Sequence, residues 1–169
     1  GATDLTSYML QGAYYGDKTV VKLISFGGKA KTYLTYTGVS KADMELYGRR
    51  YHTEGQYETS NGEYVLADGT HVNYYDDHTD NYTQTNNQLV VNHSFNERWK
   101  LSATAHYTYG NGYYRNYKND QKLAKYGIAP IEVDGSLVSR TNMLRKKLMS
   151  NHFGGVVGSA IYSAERVTL

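Results

Sequence analysis

The sequence predicts an all-β chain folded as an antiparallel meander, and three observations lead to this prediction. The first is composition: the 169 residues include 19 Tyr and 17 Gly but only 1 Pro, and such a composition favours strands and turns over helices. The second is the strict alternation of apolar and polar residues from Trp99 to Tyr109. The third is the spacing of turn signals, which separates five strand-like segments and the beginning of a sixth.

The segment from Trp99 to Tyr109 gives the clearest strand pattern, because successive side chains of an extended chain point to opposite sides. A tilted strand of about 9 to 11 residues crosses the hydrocarbon core of a bilayer, and aromatic residues near both ends are typical of outer-membrane barrels. A soluble sheet with one wet face would show the same alternation. The apolar side would carry Trp99, Leu101, Ala103, Ala105, Tyr107 and Tyr109, and the polar side Lys100, Ser102, Thr104, His106 and Thr108.

The other elements follow from turn and cap signals. Gly16-Asp17-Lys18 and Asn96-Glu97-Arg98 predict tight turns, and Gly27-Gly28 predicts the end of the second strand. A short helix should begin after Ser40, which can cap it, and end by Gly48. The predicted strands cover residues 5–15, 18–26, 83–95, 99–110, 147–163 and 166–169, and the long loops cover 27–82 and 111–146.

The lengths of the connections are asymmetric. The turns on one side have about three residues, whereas the two connections on the other side run to dozens. Short periplasmic turns and long extracellular loops are the rule for outer-membrane barrels, while a β-sandwich distributes its loop lengths more evenly. The pattern therefore favours part of such a barrel. A wall of five strands with two open edges cannot sit in lipid alone, so we expect loop residues or a neighbouring chain to cover Leu89, Val91, Leu101 and Tyr107.

Several function classes find no support in the sequence. A net charge of +2 gives no basic footprint for nucleic acid. There is no nucleophile-and-base arrangement, no metalloprotease motif and no phosphate-cradling loop, so we predict neither enzymatic activity nor a cofactor.

Five runs in a fixed order carry a family resemblance. They are LTSYMLQGAYYGDKT at 5–19, YGRRY at 47–51, TDNY at 79–82, RWKL at 98–101 followed by HYT at 106–108, and NGYY at 111–114. Together they resemble the barrel portion of TonB-dependent outer-membrane receptors of the Bacteroidetes type, over nearly all of residues 1–169.

The resemblance implies a 22-stranded barrel with a plugged lumen, of which the chain would hold a part. It implies a place in the cell outer membrane, in contact with lipid and lipopolysaccharide, and import of a scarce nutrient such as a siderophore, metal chelate, vitamin or oligosaccharide. Energy would come from the TonB complex through a plug region that this chain lacks. A soluble, Tyr-rich β-domain that binds glycans is the alternative. The two differ because a barrel wall needs an outward apolar band at the same height on every strand.

Two polar clusters are candidate sites. Tyr47, Arg49, Arg50, Tyr51 and His52 offer stacking faces and forked donors, which suit sugars, carboxylates or phosphate-bearing ligands; ordinary loop packing would also account for them.

The second cluster combines imidazoles and carboxylates. Its members are His71, Asp76, Asp77, His78 and Asp80. They suit Ca²⁺ or a transition metal, but their spacing matches no known ligand pattern. A solvated loop face is the alternative.

Overall fold

A computed structural model describes residues 2–164 and 167–168. Its elements are β1 (Thr3–Tyr15), β2 (Thr19–Tyr33), α1 (Lys41–Tyr47), β3 (Gln56–Glu58), β4 (Tyr64–Val65), β5 (His71–Tyr74), β6 (Thr79–Ser94), β7 (Trp99–Lys122), a 3₁₀-helix (Leu123–Tyr126), β8 (Ile131–Val133), β9 (Ser136–Val138), β10 (Arg140–Ala164) and β11 (Val167–Thr168). The main sheet has the order β1-β2-β6-β7-β10-β11, in which each long strand lies beside the next long strand along the chain. The predicted all-β, antiparallel meander is confirmed. No helix in the described residues is long and apolar enough to cross a membrane.

The described residues divide into two compact units. Unit 1 comprises 2–3, 31–81 and 113–148, and unit 2 comprises 4–30, 82–112, 149–164 and 167–168. The two short turns, 16–18 and 95–98, lie in unit 2, and the long connections, 34–78 and 123–139, lie in unit 1.

The prediction that Gly27-Gly28 ends the second strand was wrong, because β2 continues to Tyr33. A Cβ on Gly27 would meet the carbonyl oxygen of Gln84, and a Cβ on Gly28 would lie 2.5 Å from the carbonyl oxygen of Thr6. The two glycines therefore allow the neighbouring strands to approach closely instead of breaking the strand.

The predicted loop over 111–146 was also too long. β7 extends to Lys122 and β10 begins at Arg140, so the connection contains only the 3₁₀-helix and the β8–β9 hairpin. The extension lacks apolar alternation, but cross-strand pairs support it. The Lys146 ammonium lies 3.7 Å from the centre of the Tyr113 ring, and the Arg145 guanidinium donates a hydrogen bond to the side chain of Asn116.

The connection between β2 and β6 contains the predicted helix and a small sheet. The Oγ of Ser40 caps α1 by accepting a 3.0 Å hydrogen bond from the backbone N–H of Asp43, and Gly48 ends it with a φ of 87°. β5 then pairs antiparallel with both β3 and β4. Most of the predicted loop 27–82 is therefore structured, and β6 begins at Thr79 instead of residue 83.

The last predicted strand, 166–169, lies partly outside the described residues. Its described part, Val167–Thr168, pairs antiparallel with Ser163–Ala164.

Side-chain contacts sort the strand residues of unit 2 onto two faces. On one face the Ser25 hydroxyl donates a 2.8 Å hydrogen bond to the side-chain oxygen of Asn87, and the Tyr107 hydroxyl lies 2.6 Å from Nδ1 of His152. Since alternate residues of a strand share a face, these contacts define what we term the apolar face. It carries Tyr8, Leu10, Tyr14, Val21, Leu23, Leu89, Val91, Phe95, Trp99, Leu101, Ala103, Ala105, Tyr107, Val156, Ala160 and Tyr162.

The opposite side, which we term the mixed face, holds a different set of contacts. The Thr108 hydroxyl donates to the side chain of Asn86 at 2.9 Å, and the Tyr82 hydroxyl donates to that of Asn151 at 2.8 Å. Most of the side chains that β6 and β7 contribute here are hydroxyls, amides and charged groups, whereas β1, β2 and β10 also contribute apolar ones. The apolar members include Leu5, Met9, Ala13, Tyr15, Val20, Ile24, Phe26, Val90, Met149, Phe153, Val157 and Ile161.

Side chains of the apolar face are largely uncovered. Leu89, Leu101 and Tyr107 are exposed, and Val91 is half-buried. Loop residues of this chain therefore do not cover Leu89, Leu101 and Tyr107, and coverage by a neighbouring chain stays a prediction.

Candidate functional site

Four of the five predicted ligand-binding residues line one cleft in unit 1, which we term the aromatic cleft. Its volume is about 490 Å³, within the range of small-molecule sites. Residues of the helix end, of the segment that follows it and of the small sheet meet here. The lining residues are Tyr33, Tyr47, Arg50, Tyr51, His52, Tyr64, Val65, Leu66 and Tyr74.

The rings of this cleft form two groups. Tyr47 and Tyr51 stack with their centres 4.3 Å apart. Tyr74 contacts the imidazole of His52 at 4.6 Å and the ring of Tyr64 at 5.2 Å, edge to face. These contacts lie in the ranges preferred by aromatic pairs, so the rings support one another and keep part of their faces open to the cleft.

The fifth predicted residue, Arg49, lies in a neighbouring cleft that we term the basic cleft. It has a volume of about 590 Å³ and is lined by Thr35, Thr37, Val39, Arg49, Arg50, Tyr51 and His52. Arg50, Tyr51 and His52 line both clefts. No carboxylate side chain lines either cleft in the part of the chain that the structure describes.

Glu54 forms hydrogen bonds that hold residues of both clefts in place. Its backbone carbonyl oxygen lies 3.2 Å from Nδ1 of His52 and accepts a 3.1 Å hydrogen bond from the Tyr33 hydroxyl. Its carboxylate accepts hydrogen bonds from the backbone N–H and the hydroxyl of Thr37 and lies 3.1 Å from Nε2 of His78. Glu54 therefore holds Tyr33 of the aromatic cleft, Thr37 of the basic cleft and His52, which lines both.

These contacts shift several pKa values. Burial raises the pKa of Tyr33 to about 12, with smaller contributions from nearby acidic groups. Burial opposes ionisation of Glu54, but the hydrogen bonds from Thr37 and the neighbouring His78 outweigh it and lower the pKa of the carboxyl group. Burial also lowers the pKa of His52. Near neutral pH the clefts therefore contain a neutral His52 and a neutral Tyr33 beside the two arginines.

His78 is completely buried beneath this arrangement, with 0% of its surface exposed. Its Nδ1 accepts a 3.1 Å hydrogen bond from the backbone N–H of Tyr117, so the ring proton must be on Nε2, which donates to Glu54. Burial lowers the pKa of the imidazole, although Glu54 acts in the opposite direction. A neutral His78 thus joins the Glu54 segment to β7.

The predicted metal-binding residues are not brought together. No three His, Asp or Glu side chains among residues 2–164 and 167–168 are placed to hold a metal ion. Asp77 binds Lys31 at 3.4 Å and also Arg115; burial opposes its ionisation, but the Thr79 hydroxyl and these two cations lower its pKa.

The remaining members of that set lie in separate environments. The imidazole of His71 contacts the carbonyl oxygen of Gly62 at 3.2 Å, His78 is held by Glu54 and Tyr117, and Asp76 is exposed. Asp80 belongs to β6 and has one buried carboxylate oxygen without a hydrogen-bond partner among the described residues.

Sequence reasoning missed Tyr33, Tyr64, Tyr74 and Glu54. The available clue was the turn sequence Ala67-Asp68-Gly69-Thr70, because strands that pair across such a turn bring distant residues together. Tyr64 pairs with Val72 on β5, which places it diagonally across from Tyr74. Nothing in the local pattern indicated Glu54.

Comparisons of the chain with models of known protein families, with curated proteins and with solved structures found no match.

Proposed function

We propose that the chain is part of the barrel wall of a TonB-dependent outer-membrane receptor that captures a small nutrient and imports it. The observation that carries this proposal is the apolar face of unit 2. Apolar side chains from β1, β2, β6, β7 and β10 share this face, as the outward band of a transmembrane barrel requires.

The ends of the apolar face support the same proposal. Trp99 packs against Tyr162 at 4.9 Å close to one end of β7 in this unit, and Tyr107 and Tyr109 contact His152 towards the other end. Between them lie the small residues Ala103 and Ala105. Aromatic rings with polar tips favour the two membrane interfaces, whereas the middle of the band contacts hydrocarbon.

Ligand capture is assigned to unit 1, which holds the aromatic and basic clefts. Loops positioned by a rigid scaffold commonly carry binding residues. The nutrient classes considered for the parent receptor and its contact with the TonB complex rest on the sequence resemblance. The aromatic cleft also favours the second candidate, a soluble Tyr-rich domain that binds glycans, because stacked tyrosines suit sugar rings.

A charge placed on the apolar face distinguishes the two candidates. In the membrane proposal, Ala105→Arg in the full-length parent receptor should lower the unfolding free energy of the barrel in phosphatidylcholine vesicles by about 2–4 kcal/mol, the cost of a cation near the bilayer midplane. The full-length receptor is needed because five strands with two open edges cannot sit in lipid alone. Thr104→Arg is the matched control, because the neighbouring side chain points to the mixed face. Denaturant titration of the vesicle-inserted protein measures the effect. A parent receptor that does not float with the vesicles, or an equal loss of unfolding free energy in both variants, would reject the membrane proposal.

A further inference from the structure

We infer that the joined clefts of unit 1 select ligands that combine a ring with an anionic group, and that Arg49 and Arg50 recognise the anion. This inference rests on the proposed function, in which unit 1 captures the ligand. It goes further because it names the chemistry that distinguishes a ligand from a non-ligand.

The two clefts share lining residues. Arg50, Tyr51 and His52 line both of them. Arg50 therefore lies beside the rings in the aromatic cleft and beside Arg49 in the basic cleft, so one small molecule can contact both a ring and a guanidinium group. Each cleft has the volume of a small-molecule site.

The charges of Arg49 and Arg50 are not neutralised within the described part of the chain. Arg115 and Arg140 each pair with an aspartate, but neither Arg49 nor Arg50 forms a salt bridge within the described part of the chain. The nearby carboxylate of Glu54 is occupied by Thr37 and His78. Two forked guanidinium groups therefore remain available for a carboxylate or phosphate of the ligand.

The aromatic cleft offers both ring faces and tyrosine hydroxyls to a ligand. The hydroxyl of Tyr33 is used by Glu54, and that of Tyr74 accepts a hydrogen bond from Gln56. The hydroxyl groups of Tyr47, Tyr51 and Tyr64 form no hydrogen bond with any described residue. Ring faces with open hydroxyls accept either a sugar ring or an aromatic ring, so the shared chemistry is a ring that carries an anion.

Two pairs of probes test the inference, each matched except for the carboxylate. The sugar pair is trigalacturonate and the neutral trisaccharide of galactose with the same linkages. The aromatic pair is 4-hydroxybenzoate and 4-hydroxybenzyl alcohol. Calorimetric titration of the full chain should show at least tenfold tighter binding of the anionic member in one pair or both. The pair that binds identifies the kind of ring, and raising the salt concentration should reduce the preference.

Variants assign the preference to residues. Arg49→Gln with Arg50→Gln should lower the affinity for the anionic probe to that for the neutral probe, so that the preference is abolished. Lys41→Gln with Lys125→Gln removes the same charge from exposed sites outside both clefts and should keep the preference. Tyr47→Ala should weaken the binding of both the anionic and the neutral member of a pair.

The possible failures are distinguishable. Equal binding of anionic and neutral probes, weakened in Tyr47→Ala, would overturn charge selection while ligand capture in the aromatic cleft stands. An anionic preference that persists in the double arginine variant would assign the anion to other residues and overturn the inference. Absence of binding by all four probes to a chain with native circular dichroism would overturn both charge selection and the assignment of capture to these clefts.

Discussion

Replacing His78 by Phe should break the hydrogen-bonded link that joins the carboxylate of Glu54 to the backbone of Tyr117 in β7. Phenylalanine fills a similar volume but removes the acceptor for the Tyr117 N–H and the donor to Glu54. Leaving a buried backbone N–H unpaired costs about 1–3 kcal/mol, and losing a hydrogen bond to a charged group costs about 1.5–3 kcal/mol. Because Glu54 retains its bonds from Thr37, we expect a combined loss of about 3 kcal/mol.

Amide hydrogen exchange of Tyr117 measures this loss locally. A change of about 3 kcal/mol corresponds to exchange faster by roughly a hundredfold where exchange follows local opening. His78→Asn is the control variant, because its side-chain oxygen can accept the Tyr117 N–H in place of Nδ1. It should preserve most of the protection of Tyr117 while losing the bond to Glu54. Exchange at Tyr117 that changes less than threefold in His78→Phe, or equally in both variants, would refute the assigned tautomer and its role.

Three further predictions concern pH, packing and ionisation. Burial lowers the pKa of His78 from its ordinary value of 6.5, so the imidazole takes up a proton at higher pH in the unfolded chain than in the folded one. The unfolding free energy should therefore fall as pH decreases from about 6.5 towards the folded-state pKa, by at most about 1.4 kcal/mol per pH unit from this group. Denaturant titrations of His78→Phe should show a shallower fall. Gly27→Ala should cost about 1–3 kcal/mol of unfolding free energy by overpacking, because its Cβ would meet the backbone carbonyl oxygen of Gln84, whereas Gly12→Ala has open space and should change stability by less than about 0.5 kcal/mol; equal effects in urea titrations would contradict this packing. In ¹³C-tyrosine NMR the resonance of one ring should titrate near pH 12, and this resonance should be absent from Tyr33→Phe. Ionisation of all tyrosines near pH 10 would contradict the burial of Tyr33.

The predictable part of the fold was the part governed by local rules. The alternation from Trp99 to Tyr109 and the cap at Ser40 each depend on residues within a few positions of one another, and both features are present. The continuation of β2 through Gly27-Gly28 depends on Gln84 and Thr6, which are distant in sequence. A pair of glycines reads as a break locally, and only the neighbouring strands show that it permits close approach.

The candidate site was predictable to a similar degree. The consecutive residues Arg50, Tyr51 and His52 could be named because stacking and charged groups lie side by side in sequence, and they meet in the aromatic cleft. The predicted metal site failed for the complementary reason. Closeness in sequence did not bring Asp77 and His78 to one point, because Asp77 binds Lys31 and Arg115 while His78 turns inward to Glu54.

The residues that support the clefts, Glu54 and His78, differ from those proposed to recognise the ligand, Arg49 and Arg50, and this difference has an evolutionary consequence. Glu54 and His78 are linked to several elements, so substitutions there disturb the support of the whole site. Arg49 and Arg50 are exposed, and no salt bridge ties them to another described residue, so substitutions there should change stability little. A lineage can therefore alter which ligand is recognised by changing Arg49 or Arg50 one at a time, while selection for folding maintains Glu54 and the buried His78. Diversification of ligand choice should leave its record at 49–50 sooner than at 54 and 78.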